Sequence, residues 1–280
     1  MESQWKPWLP LTSAFGHRGI NVIIEDPKVL YRYRHLQGDH REWTRRIITD
    51  SVLYFASPSS FNDPFDCKVH YRSSLSVKQL KLRYADLLKK KLSKLNRKMR
   101  RGKVDTDLAS LNPNEFIAQM ESGLQDTVNR IGVLSLSATN RNILLWSHYA
   151  AGHTGICLKF RATSSTDFFG FSQPIKYFQN YPEIDLLNNS PDEQVQAFLL
   201  TKAIDWKYEE EWRIIDHEKG PGDKKFPQAM LLEVIFGARM DPNDKSAIVE
   251  WVRDRNTSIQ LSQASIADGA FSLVIEPYEP

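Results

Sequence analysis

A chain of 280 residues, 41% hydrophobic and 11% aromatic, with a formal net charge of +3, can bury a sizeable core and is too apolar for a disordered protein. Its longest apolar runs, such as Ile143-Leu144-Leu145-Trp146 and Val234-Ile235-Phe236, fall far short of the ~18 residues of a membrane span. The start, Met1-Glu2-Ser3-Gln4-Trp5-Lys6-Pro7-Trp8, has no signal-peptide core, so a cytoplasmic protein without a membrane partner, one domain over residues 1–280, is expected. Cys67 and Cys157 each sit in apolar sequence and read as small core residues rather than a disulfide framework or thiolate zinc site, and no metal is expected.

In chain order, alternating apolar residues predict strands at Val29 to Tyr33 and Val52 to Phe55. The segment from Ala56 to Cys67 carries Ser57, Ser59, Asn62, Asp63 and two prolines, which fix a loop rich in hydrogen-bonding groups. That loop suits a ligand rim, and equally a structural turn in which Asn62 and Asp63 bond their own backbone. Between Lys78 and Lys103 twelve basic residues face the single acid Asp86. This local excess of eleven positive charges leaves −8 for the rest of the +3 chain. Leu80, Tyr84, Leu88, Leu92, Leu95 and Met99 repeat there at three- and four-residue steps, which predicts an amphipathic helix over Ser76 to Arg101 inside a helical basic excursion at 71–131. The arm reads as a solvated helix face docked on an acidic body, or as a nucleic-acid contact through 78–103.

Further helices are predicted at Pro113 to Arg130, Asn142 to Ala150, Pro191 to Ala203 and Pro242 to Arg253. Asn112, Ser190 and Asp241 each precede a proline, which puts a capping side chain before a first-turn proline. Strands are predicted at Gly132 to Ser137, Gly155 to Phe160, Ile175 to Phe178, Glu209 to Ile215, Leu231 to Phe236, Ile259 to Leu261 and Ser272 to Glu276. Strands that flank a helical block, rather than alternating strictly with helices, indicate a mixed α+β fold: a mainly antiparallel sheet with flanking helices and a protruding basic arm.

The most informative stretch is Trp206-Lys207-Tyr208-Glu209-Glu210-Glu211-Trp212-Arg213-Ile214-Ile215. Read as a strand, it puts Trp206, Tyr208, Glu210, Trp212 and Ile214 on one face and Glu209, Glu211 and Arg213 on the other. That charged face is either a solvated exterior with a surface ion pair, or an active-site face where Arg213 holds one carboxylate and leaves the other for chemistry. His148 lies near the end of a helix whose Tyr149 shares a face with Leu145; a lone histidine there is more often a structural hydrogen-bonder than a catalyst, and a chemical role is the alternative.

Taken together, Leu30-Tyr31-Arg32-Tyr33-Arg34, Leu53 to Ala56 running into Pro58 to Asp66, Trp146-Ser147-His148-Tyr149, Trp206 to Arg213, and Val234-Ile235-Phe236-Gly237 closely resemble a bacterial and phage-associated family, the domain of unknown function 2971. The resemblance spans Val29 to Arg253 and leaves out Met1 to Glu25 and the basic arm. The family's order of blocks looks like that of ADP-ribosyltransferases, which implies an ADP-ribosyltransferase-like fold and an NAD-using transferase or NAD glycohydrolase in a bacterial, phage-defence context. By that resemblance NAD is the cofactor, with an unknown acceptor. Arg32 or Arg34 would hold the pyrophosphate or ribose, Ser57 and Ser59 would bond the nicotinamide ribose, and Tyr149 would stack on nicotinamide. Arg213 counts among the cofactor-binding residues, with Glu211 as catalytic carboxylate, Glu209 in reserve and His148 beside them. Cleaving the nicotinamide bond builds positive charge on the ribose, which a fixed carboxylate stabilises. Two other readings stand: a metal-dependent nuclease or hydrolase gathering Asp63, Asp66, His148, Glu209 and Glu211 around Mg²⁺ or Mn²⁺, and a non-catalytic module in which Arg32, Arg34 and Arg213 bind an anionic ligand or partner.

Overall fold

The computed structural model describes residues 29–71, 78–79, 82, 85, 96–109, 113–165, 168–185, 189–255 and 257–279. The fold is mixed α+β, built on a large, mainly antiparallel sheet with several helices. The chain divides into two compact units. One takes Gly19–Asp66, Arg130–Gln179 and Lys202–Pro280. Its elements are β1 (Val29–Arg34), α1 (His40–Asp50), β2 (Val52–Phe55), β3 (Gly132–Ser137), α2 (Ile143–Tyr149), β4 (Ile156–Arg161), β5 (Gln173–Pro174), β6 (Glu211–Asp216), β7 (Gly222–Lys225), β8 (Leu231–Phe236), α3 (Pro242–Arg253), β9 (Gln260–Ile266) and β10 (Leu273–Pro277).

Eight of these strands form one sheet in the order β10-β9-β8-β4-β1-β3-β6-β5. Only β8 and β9 pair in parallel, and α3 supplies the crossover that parallel neighbours require. The sheet is covered on both sides. Leu30, Leu134, Phe160, Trp212 and Phe236 pack with Ile47 and Ile48 of α1 and Ile248 and Val249 of α3, whereas Tyr31, Tyr33, Cys157 and Ile235 pack with Leu145 and Trp146 of α2. Two-sided burial accounts for the nearly unbroken apolar run of β8. Because Trp212 is 8% exposed within the first of these clusters, Trp212→Ala should cost about 3–5 kcal/mol through cavity formation, read by urea unfolding.

One irregularity in this sheet creates the cleft. β1 pairs along its whole length with β4, and β3 along its whole length with β6, yet β1 and β3 meet only at Tyr31 and Ser137. Beyond that contact the two strands part, and the space between them is filled by side chains instead of a hydrogen-bonded ladder.

Several expected boundaries move. The strand expected from Glu209 begins at Glu211, because Ile204–Glu209 is a 3₁₀ helix and Glu210 turns the chain with φ of 46°. The helix expected over Pro191 to Ala203 ends at Leu199, and the strand expected at Ile259 to Leu261 runs as Gln260–Ile266. α1 carries no signal recognised in the sequence, since its buried Thr44, Ile47 and Ile48 are embedded among Arg41, Glu42, Arg45 and Arg46. Asn142 and Asp241 cap their helices as their positions suggest, accepting from Leu144, Leu145 and Asn243 backbone N–H groups; Asn112 lies outside the described residues.

The other unit includes Cys67–Asn129 and Asn180–Thr201, and so contains most of the excursion expected at 71–131. Its helices are Arg97–Ala109, Pro113–Val128 and Pro191–Leu199, the last opened by a capping box between Ser190 and Glu193. The helix expected over Ser76 to Arg101 lies largely outside the described residues. Within them it is interrupted at Asn96, whose side-chain oxygen accepts the Met99 N–H at 2.9 Å and starts the next helix. Cys67 and Cys157 are both buried. Among the described residues, no helix is long and apolar enough to cross a membrane.

Candidate functional site

The fork between β1 and β3 opens into a cleft of about 400 Å³, within the size range of small-molecule sites. Arg32, Arg34, Glu209, Glu211 and Arg213 line it together with Tyr149 and His148.

The charged residues are buried. Register pairs Glu211 with Ser137 and Arg213 with Ser135, so both side chains leave the same face of β6, while Trp212 and Ile214 enter the core cluster behind it. Glu209, Glu211 and Arg213 are only 5%, 4% and 0% exposed, which corrects the solvated-exterior reading of this stretch. Arg213 Nε donates to Glu211 Oε1 at 2.7 Å and its Nη2 to Asp66 Oδ2 at 2.5 Å. Lys202 Nζ bridges the two glutamates, 2.5 Å from Glu209 Oε2 and 2.9 Å from Glu211 Oε2.

The two carboxylates have been driven apart. Burial alone would raise both, but at Glu211 the Arg213 and Lys202 cations, aided by a Ser135 hydrogen bond, outweigh it and hold the pKa at about 2. At Glu209 burial prevails over Lys202, and the charge of Glu211 adds to it, so the pKa is raised. Burial opposes the charge of Lys202, yet Glu211 and Glu209 together raise its pKa. Neighbouring carboxyl groups with opposite shifts are how acid–base sites divide their roles.

Glu209 is also the better positioned of the pair. Its backbone carbonyl accepts the Ser137 hydroxyl at 2.7 Å, the preceding carbonyl of Tyr208 accepts Asn142 Nδ2 at 2.9 Å, and the Glu210 carbonyl accepts the Ala138 N–H at 3.0 Å. Tyr149 donates its hydroxyl to Glu209 Oε1 at 2.7 Å, and burial followed by the Glu209 charge raises that phenol's pKa. Left-handed Glu210 lets the chain pass from the 3₁₀ turn into β6 with both flanking carboxylates against one lysine.

Arg32 fills the fork, its Nη1 donating to the Ser135 carbonyl at 2.7 Å. Burial, then repulsion from Arg34, pushes Arg32 down to about 9 against a weaker pull from Glu211; burial pushes Arg34 down to about 10. Arginine keeps its proton in proteins, so we read these shifts as two cations short of an anion. Among the described residues, neither has a carboxylate within ion-pair distance. The backbone at Arg34 lies against Gly155, where a Cβ would run into the Arg34 carbonyl oxygen and the His35 Cα.

The structure therefore brings Arg32, Arg34, His148, Tyr149, Glu209, Glu211 and Arg213 to one cleft. His148 is exposed at its edge, against Tyr149 and Tyr208. Ser57 and Ser59 are not lining residues. Their hydroxyls pair at 2.7 Å and Ser57 caps the 3₁₀ turn Pro58–Ser60, so the serine-bearing turn contributes Phe61, Asn62 and Asp66 to the lining instead. Asp63 accepts the Phe65 N–H at 2.9 Å, the local turn bond expected of it, whereas Asn62 hydrogen-bonds to Tyr149. Lys202 carries no recognisable signal in the sequence. Asp66 was visible only as a metal-ligand candidate. No group of three or more His, Cys, Asp or Glu side chains among the described residues is arranged to hold a metal ion; Arg213 and Lys202 occupy the carboxylate oxygens of Asp66, Glu209 and Glu211.

No curated protein and no solved structure matches the chain. Residues 145–214, the segment that supplies Tyr149, Lys202, Glu209, Glu211 and Arg213 to the cleft, match the family described as "Protein of unknown function (DUF2971)", the family that the sequence blocks resemble.

Proposed function

We propose that this protein is an NAD-consuming enzyme of the ADP-ribosyltransferase or NAD glycohydrolase kind, with Glu209 rather than Glu211 as its working carboxylate. The observation that carries this reading is a buried glutamate with a raised pKa lining the same cleft as two arginines that have no carboxylate partner among the described residues. An ADP-ribosyltransferase-like fold belongs to the same proposal. Arg32 and Arg34 fit the negatively charged diphosphate, since charge-assisted and bidentate bonds are those a half-buried guanidinium can offer.

NAD brings a glycosidic bond whose heterolysis sends the bonding electrons to nicotinamide and leaves positive charge on the ribose. Glu209 supplies negative charge to that centre and takes the proton of the attacking hydroxyl or water, for which a raised pKa suits a carboxylate. Tyr149 and Lys202 fix its orientation. Glu211, held ionised by Arg213, keeps Lys202 charged and in place.

Nicotinamide release from NAD by the purified protein, with and without cell extract as acceptor, tests this reading. Release is expected, and Arg32→Ala should weaken NAD binding about 10-fold or more through loss of charged hydrogen bonds. Absence of both NAD binding by calorimetry and nicotinamide release would overturn it. Activity that needs Mn²⁺ and no NAD would favour the hydrolase reading.

A further inference from the structure

Next to Arg34, the cleft is lined by His35 and His40, to which the reading above gives no task. Their rings lie tilted at 39° to each other with centroids 3.9 Å apart, an arrangement that two imidazolium ions would oppose by like-charge repulsion. Hydrogen bonds settle the tautomers. The Gln37 backbone N–H donates to His35 Nδ1 at 3.3 Å, and Arg34 Nη2 donates to His40 Nδ1 at 3.2 Å. Both donors lack any acceptor capacity, so each Nδ1 is unprotonated and each ring carries its proton on Nε2. Neither Nε2–H has a partner among the described residues.

We propose that Arg34, His35 and His40 form a phosphate-binding subsite of the cleft, in which one guanidinium supplies the charge and two neutral imidazoles supply N–H donors. Because Arg34 is tied to Thr44 Oγ1 at 3.4 Å as well as to His40, guanidinium and ring form one preset donor array. The groups that face these rings favour the neutral form. Burial and Arg34 lower the pKa of His35; burial, His35 and Arg34 lower that of His40 against the weaker influence of Asp39. Trp43 packs edge-on to His40 and adds no charge. Placing a nucleotide's phosphate here rests on the proposed function, but phosphate binding itself does not.

Calorimetry with ADP-ribose and nicotinamide mononucleotide, on the full chain at pH 6.5, 7.5 and 8.5, tests the subsite. Tighter binding of ADP-ribose identifies the diphosphate bridge as the ligand group, and tighter binding of the mononucleotide a terminal phosphate. Each neutral donor removed, in His35→Leu or His40→Leu, should weaken binding about 3–10-fold. His40→Gln, which keeps an N–H, should restore most of it, and that rescue separates recognition from a folding defect. ADP-ribose affinity should change little over this pH range, since burial and Arg34 disfavour the imidazolium form of both rings. Unchanged binding in both leucine variants, or affinity that climbs severalfold toward pH 6.5, would overturn the subsite. A protein that binds these probes through the histidines yet releases no nicotinamide would keep the subsite and sink the proposed reaction; NAD cleavage indifferent to both histidines would do the reverse.

Discussion

Arg213→Leu should destabilise the fold by about 3–5 kcal/mol, the cost of breaking a buried pair and leaving its partners uncompensated. Arg213 is fully buried, and both Glu211 and Asp66 depend on it. Lys202 relieves part of the loss, since it stays 2.9 Å from Glu211 and 3.9 Å from Asp66. Urea unfolding at pH 7 measures the effect. The triple variant that also carries Glu211→Gln and Asp66→Asn should recover part of the stability, because neutral amides do not need the missing cation. A single variant as stable as the wild type would show that the charge cluster is solvated, contrary to its burial.

The same cluster sets an acid limit. Glu211 has a folded pKa of about 2 against an ordinary 4.5. A depressed carboxylate contributes stability that is present in full above its unfolded pKa and disappears as pH falls through the folded one. The loss therefore falls between pH ~4.5 and ~2, with a size on the order of 3 kcal/mol. Glu209 has the opposite sign. Its raised pKa means that its ionisation opposes folding as pH rises, so the two glutamates contribute opposite slopes to stability against pH.

That opposition leads to the second large effect: Glu209→Gln should lower turnover of NAD by ~10²-fold or more with stability at pH 7 unchanged or increased. The amide is nearly isosteric, retains an oxygen to accept from Tyr149, and removes a carboxylate whose charge burial disfavours. Lys202 still has Glu211. Glu211→Gln, in contrast, should first lower stability, because Arg213 and Lys202 both lose a charged partner. Single-turnover nicotinamide release alongside equilibrium unfolding of both variants separates the roles. Equal loss of activity and of stability in Glu209→Gln would reduce Glu209 to a structural residue.

What the sequence determined by itself is chiefly local. Period-two alternation is a property of successive residues, so Glu211 and Arg213 opposite Trp212 could be read directly, as could the capping of α2 by Asn142 and of α3 by Asp241. The blocks around Tyr149 and Trp206 to Arg213 likewise carry the family resemblance, and they fall within or beside residues 145–214, which match that family. Local rules failed where a residue's partner is remote. α1 hides its apolar stripe among charges, and the 3₁₀ turn before Glu211 mimics a strand because apolar or aromatic and charged residues alternate through it.

Only the tertiary structure decided how the two glutamates differ, with the pKa of Glu209 raised and that of Glu211 lowered. Glu209 and Glu211 are chemically identical and two residues apart; what separates them is Arg213, which bonds Glu211 on the same strand, whereas Lys202 from the preceding segment bridges both. These act through burial and Coulomb forces at about 3 Å, which depend on distance in space rather than on position along the chain. The cleft has the same origin, since β1 and β3 part after a single paired contact and no pattern within either strand encodes the failure of the other to follow.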